Sequence, residues 1–151
     1  MNDRMISLRH FSREDAESIR GNLYPDMTIT DIMDMIDAWN SQLFHGHYFE
    51  MFAIVSGGQI AGSASLSERT RSIVSAGVEV YHHERGKGFG SEAVSLLLQY
   101  ASEKGFRMML NQVRKDNSAS IRLHEKLGFE TDGYVYRNQR NHEVVLYLKL
   151  L

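Results

Sequence analysis

The 151-residue sequence contains no cysteine, and this absence excludes several kinds of site at once. A chain without cysteine forms no disulfide, no thiolate metal site and no cysteine nucleophile. The lack of disulfides is also typical of a reducing compartment. The first residues, MNDRMISLRHFSRED, lack the apolar stretch of a secretory signal, and no later run is long enough to span a bilayer. We therefore expect a cytoplasmic protein that does not enter a membrane.

The sequence also lacks an excess of basic residues. It has 17 lysines and arginines against 19 acidic residues, for a formal net charge of −2. General nucleic-acid-binding proteins normally carry a basic excess, so we expect no nucleic-acid partner. There is only one proline, and there is no repeat, low-complexity segment or linker. The length is that of one domain, and we predict a single domain over residues 1–151.

The alternation of apolar and polar residues predicts the element order βααβββαβαββ, which is a mixed α/β fold. The second helix is predicted to begin at a Thr30 cap and to cover residues 31–44, and the fourth to be capped by Asp116 or Asn117. Gly57 and Gly58 indicate a hairpin. The predicted strands lie at residues 4–11, 48–56, 59–68, 72–81, 106–113, 132–138 and 142–151.

The stretch HERGKGFGSE places three glycines at alternate positions between a predicted strand and a predicted helix. Backbone N–H groups at a helix start are unpaired, and the helix dipole adds positive potential there. Such a place suits a phosphate or pyrophosphate, and the cationic Arg85 and Lys87 reinforce it. The alternative is a tight turn that is rich in glycine for steric reasons alone. We favour the anion site.

Two known phosphate-binding patterns fit this loop poorly. The Walker pattern G-x-x-x-x-G-K-[ST] is absent, which argues against a nucleotide triphosphatase. Residues 88–93 match G-x-G-x-x-A, the dinucleotide fingerprint. That fingerprint also requires an acidic residue about 20 positions further on, where this chain has Asn111 and Gln112. A nucleotide-cofactor oxidoreductase is therefore the weaker alternative.

The loop R-G-K-G-F-G resembles the R/Q-x-x-G-x-G/A loop of the GNAT superfamily of acyl-CoA-dependent N-acyltransferases. The stretch DNSASIRLHEKLGFE resembles the second signature of that family, an Asn that opens a helix ending in Gly-Phe. The likeness covers essentially the whole chain. It implies the GNAT fold, a mostly antiparallel twisted sheet with one splayed parallel strand pair and flanking helices.

The resemblance also implies acetyl-CoA as the acyl donor and assigns residues to it. The loop amides of residues 86–91 would hold the pyrophosphate, and the strand before the loop would pair its backbone with the pantetheine arm. Asn117 would contact the pantetheine or the acyl end. The cofactor-binding residues predicted in this way are Val78, Val80, Arg85, Gly86, Lys87, Gly88, Phe89, Gly90, Ser91 and Asn117.

Acyl transfer to an amine needs removal of an amine proton, donors to the oxyanion and a proton for the departing thiolate. Without cysteine, direct attack of the amine is the expected route. Many relatives have a Tyr acid seven residues after the Asn, where this chain has His124. With this His, the stretch SIRLHEKLGF resembles most the phosphinothricin-type and some ribosomal-protein N-terminal acetyltransferases. His124 would act as acid or base; the alternative is a hydrogen-bonded, inert histidine.

The usual glutamate base is missing from both positions where relatives place it, because this chain has Gln112 and Ser75 there. Glu79 is the nearest carboxylate and would act through a water; the alternative is a polar side chain that faces away from the site. The missing glutamates support a second reading, a non-catalytic acyl-CoA-binding module.

In the resembling family the second helix and its loops form the acceptor pocket, which implies Tyr24, Met27 and Trp39 as lining residues. The acceptor is left open among a small amine, an amino-acid analogue, a polyamine and a protein N-terminus. The histidines at 45, 47, 82 and 83 lack a placed third ligand, so we expect no metal. We expect a monomer or a homodimer, since the final strand could pair with a neighbour.

Overall fold

The structure is a computed structural model that describes residues 5–151. Its strands are β1 (Ser7–His10), β2 (Leu43–Phe44), β3 (His47–Ser56), β4 (Gln59–Glu68), β5 (Ile73–Val80), β6 (Met108–Arg114), β7 (Tyr136–Arg137) and β8 (Glu143–Leu150). Its helices are α1 (Ala16–Asn22), α2 (Ile29–Asn40), α3 (Phe89–Glu103) and α4 (Ser118–Lys126). The predicted first strand begins at Arg4, which lies outside the described residues. The predicted element order is confirmed, with the addition of β2.

One sheet runs through the described residues in the order β1-β3-β4-β5-β6-β8-β7, and β2 pairs with β3 off this path. Neighbouring strands are antiparallel except for β5 and β6. A strand, a helix and a parallel strand make β5-α3-β6 a crossover unit in an otherwise antiparallel sheet. The predicted mixed α/β class, with one parallel pair, is confirmed.

Helices cover both faces of the sheet. On one face, α1 and α2 bury Ile19, Ile32 and Ile36 against Ala53 of β3. On the other face, α3 packs its apolar side on the central strands, and the largest core of the described residues forms there. Because strand side chains alternate between faces, β3 presents one set of residues to α1 and α2 and the other to α3.

The predicted bounds of two elements, the second helix and the strand at 132–138, are wrong. The second helix begins earlier than expected, because the Thr28 hydroxyl rather than that of Thr30 accepts the N-terminal hydrogen bond, from the Asp31 N–H at 3.0 Å. It also ends earlier, because Gln42 adopts a left-handed φ of 58°. Leu43 and Phe44 then pair with β3 as strand β2. The strand predicted at 132–138 is reduced to β7, which still pairs antiparallel with β8 as expected.

A buried carboxylate on β3 links this strand to β1 and to the C-terminal end of α3. Glu50 is 1% exposed, and it accepts hydrogen bonds from the Tyr48 hydroxyl at 2.5 Å and the Tyr100 hydroxyl at 2.9 Å. His10 Nε2 lies 2.6 Å from the carboxylate and Lys104 Nζ lies 3.4 Å from it. Burial alone would raise the pKa of Glu50, but these donors and the Lys104 charge lower it below its usual range.

We expect Glu50→Gln to lower the free energy of unfolding at neutral pH by about 3 kcal/mol, because buried donors lose their charged acceptor. The lowered pKa means that the ionised carboxylate stabilises the fold above the ordinary value of 4.5, and that this stability is lost as the pH falls below it. Urea unfolding of both proteins at several pH values measures the effect. The exposed Glu17→Gln is the control. If the free energy of unfolding fell equally with decreasing pH in Glu50→Gln and in the unmodified chain, this account would be contradicted.

Candidate functional site

The parallel strands β5 and β6 separate after two paired positions, Ile73 with Met108 and Val74 with Met109. Beyond these positions, side chains make the hydrogen bonds between the two strands. The Ser75 hydroxyl donates to the Leu110 carbonyl, and the Ala76 N–H donates to Asn111 Oδ1 at 2.8 Å. From this point toward their carboxyl ends the two strands diverge, and a cleft opens between them.

The edge of β5 that faces this cleft carries free backbone groups. The Tyr81 N–H donates to the Ala61 carbonyl at 2.8 Å. Along β5, the backbone N–H and C=O groups of odd-numbered residues therefore point to β4, and those of even-numbered residues point to the cleft. Asn111 takes the Ala76 N–H, and Arg85 Nε donates to the Val80 carbonyl at 3.1 Å. The N–H and C=O of Val78 therefore face the cleft with no strand beside them in the described chain.

The cleft has a volume of about 640 Å³. Its walls come from β5, the start of α3, the outer part of β6 and α4. Seven of the predicted site residues line it: Val78, Glu79, Val80, Arg85, Gly90, Asn117 and His124. The other residues of the predicted cofactor loop, 86–89 and Ser91, adjoin these in sequence.

The glycine loop leads from the end of β5 into α3. Gly86 and Gly88 have φ values of 80° and 83°, a left-handed conformation that side chains rarely adopt, and Gly88 is the N-cap of α3. The first N–H that bonds back to the loop is that of Glu92, to the Gly88 carbonyl at 3.1 Å. Within residues 5–151 the N–H groups of residues 86–91 make no hydrogen bond. This arrangement can hold a polyanion.

Two loop side chains have other roles in the structure. The Phe89 side chain is buried in the core under α3, so its contribution to a ligand can come only from its backbone. Lys87 Nζ lies 2.8 Å from the Glu84 carboxylate, which gives this cation a partner beside the loop. At the other end of the cleft, the Asn117 side chain caps α4 by accepting from the Ser120 N–H at 3.1 Å.

His124 is buried, and both of its ring nitrogens are hydrogen-bonded. Nδ1 lies 2.7 Å from the Ser120 carbonyl, which only accepts, so Nδ1 carries the proton. Nε2 lies 3.1 Å from Asn111 Nδ2 and accepts from it, because the Asn111 oxygen is held by the Ala76 N–H. Burial lowers the pKa of His124, with the Ser120 carbonyl opposing it, and this favours the neutral ring.

Glu79 and Gln112 lie on the side of the cleft away from α3. Val78 and Val80 pack toward α3, so alternation along β5 turns the exposed Glu79 to the opposite face, the face of α1 and α2. Gln112 is exposed between the buried Asn111 and Val113 of β6, and it faces the same way. An acceptor entering from this face meets a carboxylate on one strand and an amide on the other.

The residues predicted to line an acceptor pocket do not line this cleft. Tyr24 is exposed in the loop between α1 and α2, and Met27 is half-buried at the core of those helices. Trp39 packs there against Phe11, with ring centroids 5.3 Å apart. Their acceptor role stays a prediction. From the sequence, Asn111 was notable only because it stands where the dinucleotide fingerprint requires an acidic residue. Its role at the end of the parallel ladder was not predicted.

Within the described part of the chain, no three His, Asp or Glu side chains cluster as metal ligands. No helix there is long and apolar enough to cross a membrane. The sheet, with a single short parallel pair, is not the doubly wound parallel sheet that a dinucleotide cofactor occupies, so the oxidoreductase alternative loses its support.

Known proteins resemble this chain, one in sequence and two in fold. An L-methionine sulfoximine/L-methionine sulfone acetyltransferase of Pseudomonas paraeruginosa is 33% identical over 101 residues, which are 64% of this chain and 59% of that protein. The structure of the ribosomal L7/L12 α-N-protein acetyltransferase RimL with coenzyme A has a TM-score of 0.84 at 16% identity, over 99% of this chain and 96% of that one. The structure of the spermidine N-acetyltransferase of Vibrio cholerae with CoA and spermine has a TM-score of 0.78 at 18% identity, over 97% of this chain and 95% of that one.

The match to the first of these relatives thus spans less than two thirds of its length. A family model covers much more of the present chain. The model of the acetyltransferase (GNAT) domain matches residues 5–130, which include the glycine loop, the separating strands and α4. The chain belongs to the GNAT acetyltransferase family.

Proposed function

We propose that this chain is an acetyl-CoA-dependent N-acetyltransferase that acetylates a primary amine. One observation carries the proposal: the unpaired edge of β5 at Val78 leads directly to the unpaired loop amides of residues 86–91. A coenzyme A molecule presents amide groups along its pantetheine arm and a pyrophosphate at its other end, so it matches both. When bound, acetyl-CoA supplies a thioester-activated acetyl group whose transfer to an amine leaves coenzyme A as the free thiol.

The residues present fit this cosubstrate. The Val78 backbone would pair with the pantetheine amides, as an added strand does at a sheet edge. The amides of residues 86–91 and the Arg85 side chain would hold the pyrophosphate, and Gly90 leaves the approach open. Asn117 lies at the far wall of the same cleft. RimL and the spermidine enzyme, which share this fold, have structures with coenzyme A.

We propose Glu79 as the group that accepts the proton of the attacking amine, through a water molecule. Its support is its place: it lines the cleft, it is exposed, and it faces the side from which an acceptor can enter. At neutral pH a lysine-like amine with a pKa near 10.4 is protonated, so the reaction needs such an acceptor.

The role of His124 as an acid or base stays a prediction, and proton transfer requires one of its two hydrogen bonds to break. If the neutral ring only holds Asn111 in place, the pH dependence of kcat should have the same shape in the unmodified chain and in His124→Gln. A donor at this position would instead make kcat fall as the pH rises through the lowered pKa, and a base would make it fall as the pH drops through it. Full kcat in His124→Ala would remove both proton-transfer roles.

The proposal is tested by release of free coenzyme A thiol from acetyl-CoA in the presence of a panel of primary amines. Amine-dependent release, with the acetylated amine identified by mass, is the expected result. Binding of acetyl-CoA without release for any amine would instead support the non-catalytic acyl-CoA-binding module, which the residues Ser75 and Gln112 favour. The cytoplasmic location, the single domain over 1–151 and the monomeric or homodimeric state stay predictions.

A further inference from the structure

We infer that the acceptor carries a carboxylate, and that a groove of arginines beside the cleft binds it. This inference rests on the proposed function. The groove has a volume of about 460 Å³, and it is lined by Arg69, Gln112, Arg137, Asn138, Gln139 and Arg140.

The groove adjoins the cofactor cleft at one shared residue. Gln112 of β6 lines both cavities. The Gln112 and Glu79 side chains are on the same face of the sheet, Gln112 on β6 and Glu79 on β5, with the cleft between the two strands. A small molecule in the groove can therefore place an amine near the cleft while its other end remains among the arginines.

Arg69 is fixed at the point where the strands begin to separate. Its Nε donates to the Ser75 hydroxyl at 2.5 Å, and that hydroxyl donates in turn to the Leu110 carbonyl. The two terminal nitrogens of Arg69 have no hydrogen bond within the described residues. A guanidinium anchored through Nε and open at its terminal nitrogens can offer its fork to a carboxylate.

The other two arginines come from the hairpin that β7 and β8 form, Arg137 from β7 and Arg140 from the turn. Arg137 donates to Asn141 Oδ1 at 3.1 Å and lies 3.4 Å from the Glu143 carboxylate. The hairpin positions Arg140, whose backbone N–H donates to Asn138 Oδ1 at 3.0 Å. The Arg140 guanidinium has no partner in the described chain.

The groove therefore holds more positive than negative charge. None of its lining residues is acidic, and Glu143, which lies near Arg137, is shared with Lys115 at 3.4 Å. Guanidinium groups pair with carboxylates through two parallel hydrogen bonds. A polyamine would bring a second ammonium group among three cations, and this like-charge contact disfavours it. The substrate class that fits is an amine that bears a carboxylate, as an amino acid does.

The test compares L-methionine sulfone with its carboxamide, which has the same shape but no negative charge, and with spermidine. We expect kcat/KM for the acid to exceed that for the carboxamide by roughly tenfold or more, since hydrogen bonds to charged groups are the stronger ones. Arg137→Gln and Arg140→Gln should each bring this ratio toward one. Arg107→Gln, an exposed arginine at the opposite end of β6, is the control and should keep the ratio.

Calorimetric binding of the same three compounds to the protein saturated with coenzyme A gives a readout that does not depend on turnover. Binding of the acid but not the carboxamide, weakened in Arg140→Gln, supports the inference. Equal binding or equal acetylation of acid and carboxamide, preference for spermidine, or no binding of the acid overturns it. Failure of the proposed function looks different, because no amine then causes release of coenzyme A from acetyl-CoA, while the acid still binds in calorimetry and the carboxamide does not.

Discussion

Gly90→Leu is expected to keep the fold and to weaken acetyl-CoA binding by roughly tenfold or more. Gly90 lies in the first turn of α3, where leucine improves helix stability over glycine by up to about 1 kcal/mol. An added Cβ would lie 3.6 Å from Leu123 Cδ1 and 3.8 Å from Val80 Cγ2, which is ordinary van der Waals contact. The fold tolerates it, and the family pattern likewise allows alanine at this position. The rest of a leucine side chain would project into the cleft, where the proposed pyrophosphate and pantetheine must approach the backbone closely.

Thermal unfolding gives the stability and calorimetric titration gives the affinity for acetyl-CoA. Gly21→Leu in α1 is the matched control, a helical glycine with no atom within 4 Å of an added Cβ, and it should keep the fold without losing affinity. Gly88→Val should lose affinity too, but its φ of 83° makes that substitution strained in any case. Undiminished affinity in Gly90→Leu would show that the ligand does not use this approach.

Glu79→Gln is expected to lower kcat about 100-fold while acetyl-CoA affinity changes little, since general-base catalysis is typically worth two to four orders of magnitude. The substitution keeps the shape of the side chain and removes the proton acceptor. The remaining activity should rise with pH, because an amine that loses its proton to solvent needs no base. Rates measured at saturating acetyl-CoA between about pH 6.5 and 9.5 test both statements.

The control for Glu79→Gln is Glu125→Gln, which removes an exposed carboxylate from α4 that does not line the cleft. Its kcat should match that of the unmodified chain. If Glu79→Gln retained full kcat at neutral pH, the proposed base would be wrong. The amine proton would then have to leave by another route, for example directly to solvent.

The features that the sequence predicts well are local. The glycine loop, the helix after it and the capping of α4 by Asn117 depend on residues within a few positions of one another, and so does the hairpin at Gly57 and Gly58. Each of these signals reports backbone conformation or unpaired N–H groups, which neighbours in sequence determine. The family signatures consist of the same local features, and the match over residues 5–130 confirms the family.

The features that the sequence does not predict depend on distant contacts. Asn111 ends the parallel ladder only because it meets Ala76, 35 residues earlier, and is held there by His124. Leu43 and Phe44 have the helical pattern of α2 but form a strand, because β3 offers them pairing. The arginine groove likewise joins the β4–β5 turn to a hairpin near the end of the chain. The periodicity of apolar residues within one segment carries no information about such long-range contacts.

Thermal unfolding with acetyl-CoA, and with NADH as the control ligand, tests most directly the claim that the cleft and its loop bind coenzyme A. At a ligand concentration of about 100 times Kd, binding to the folded state alone should add roughly 2.7 kcal/mol. For a domain of this size that corresponds to a rise in Tm of several degrees. The account predicts this rise with acetyl-CoA and none with NADH. No shift with acetyl-CoA, or a shift with NADH instead, would contradict it.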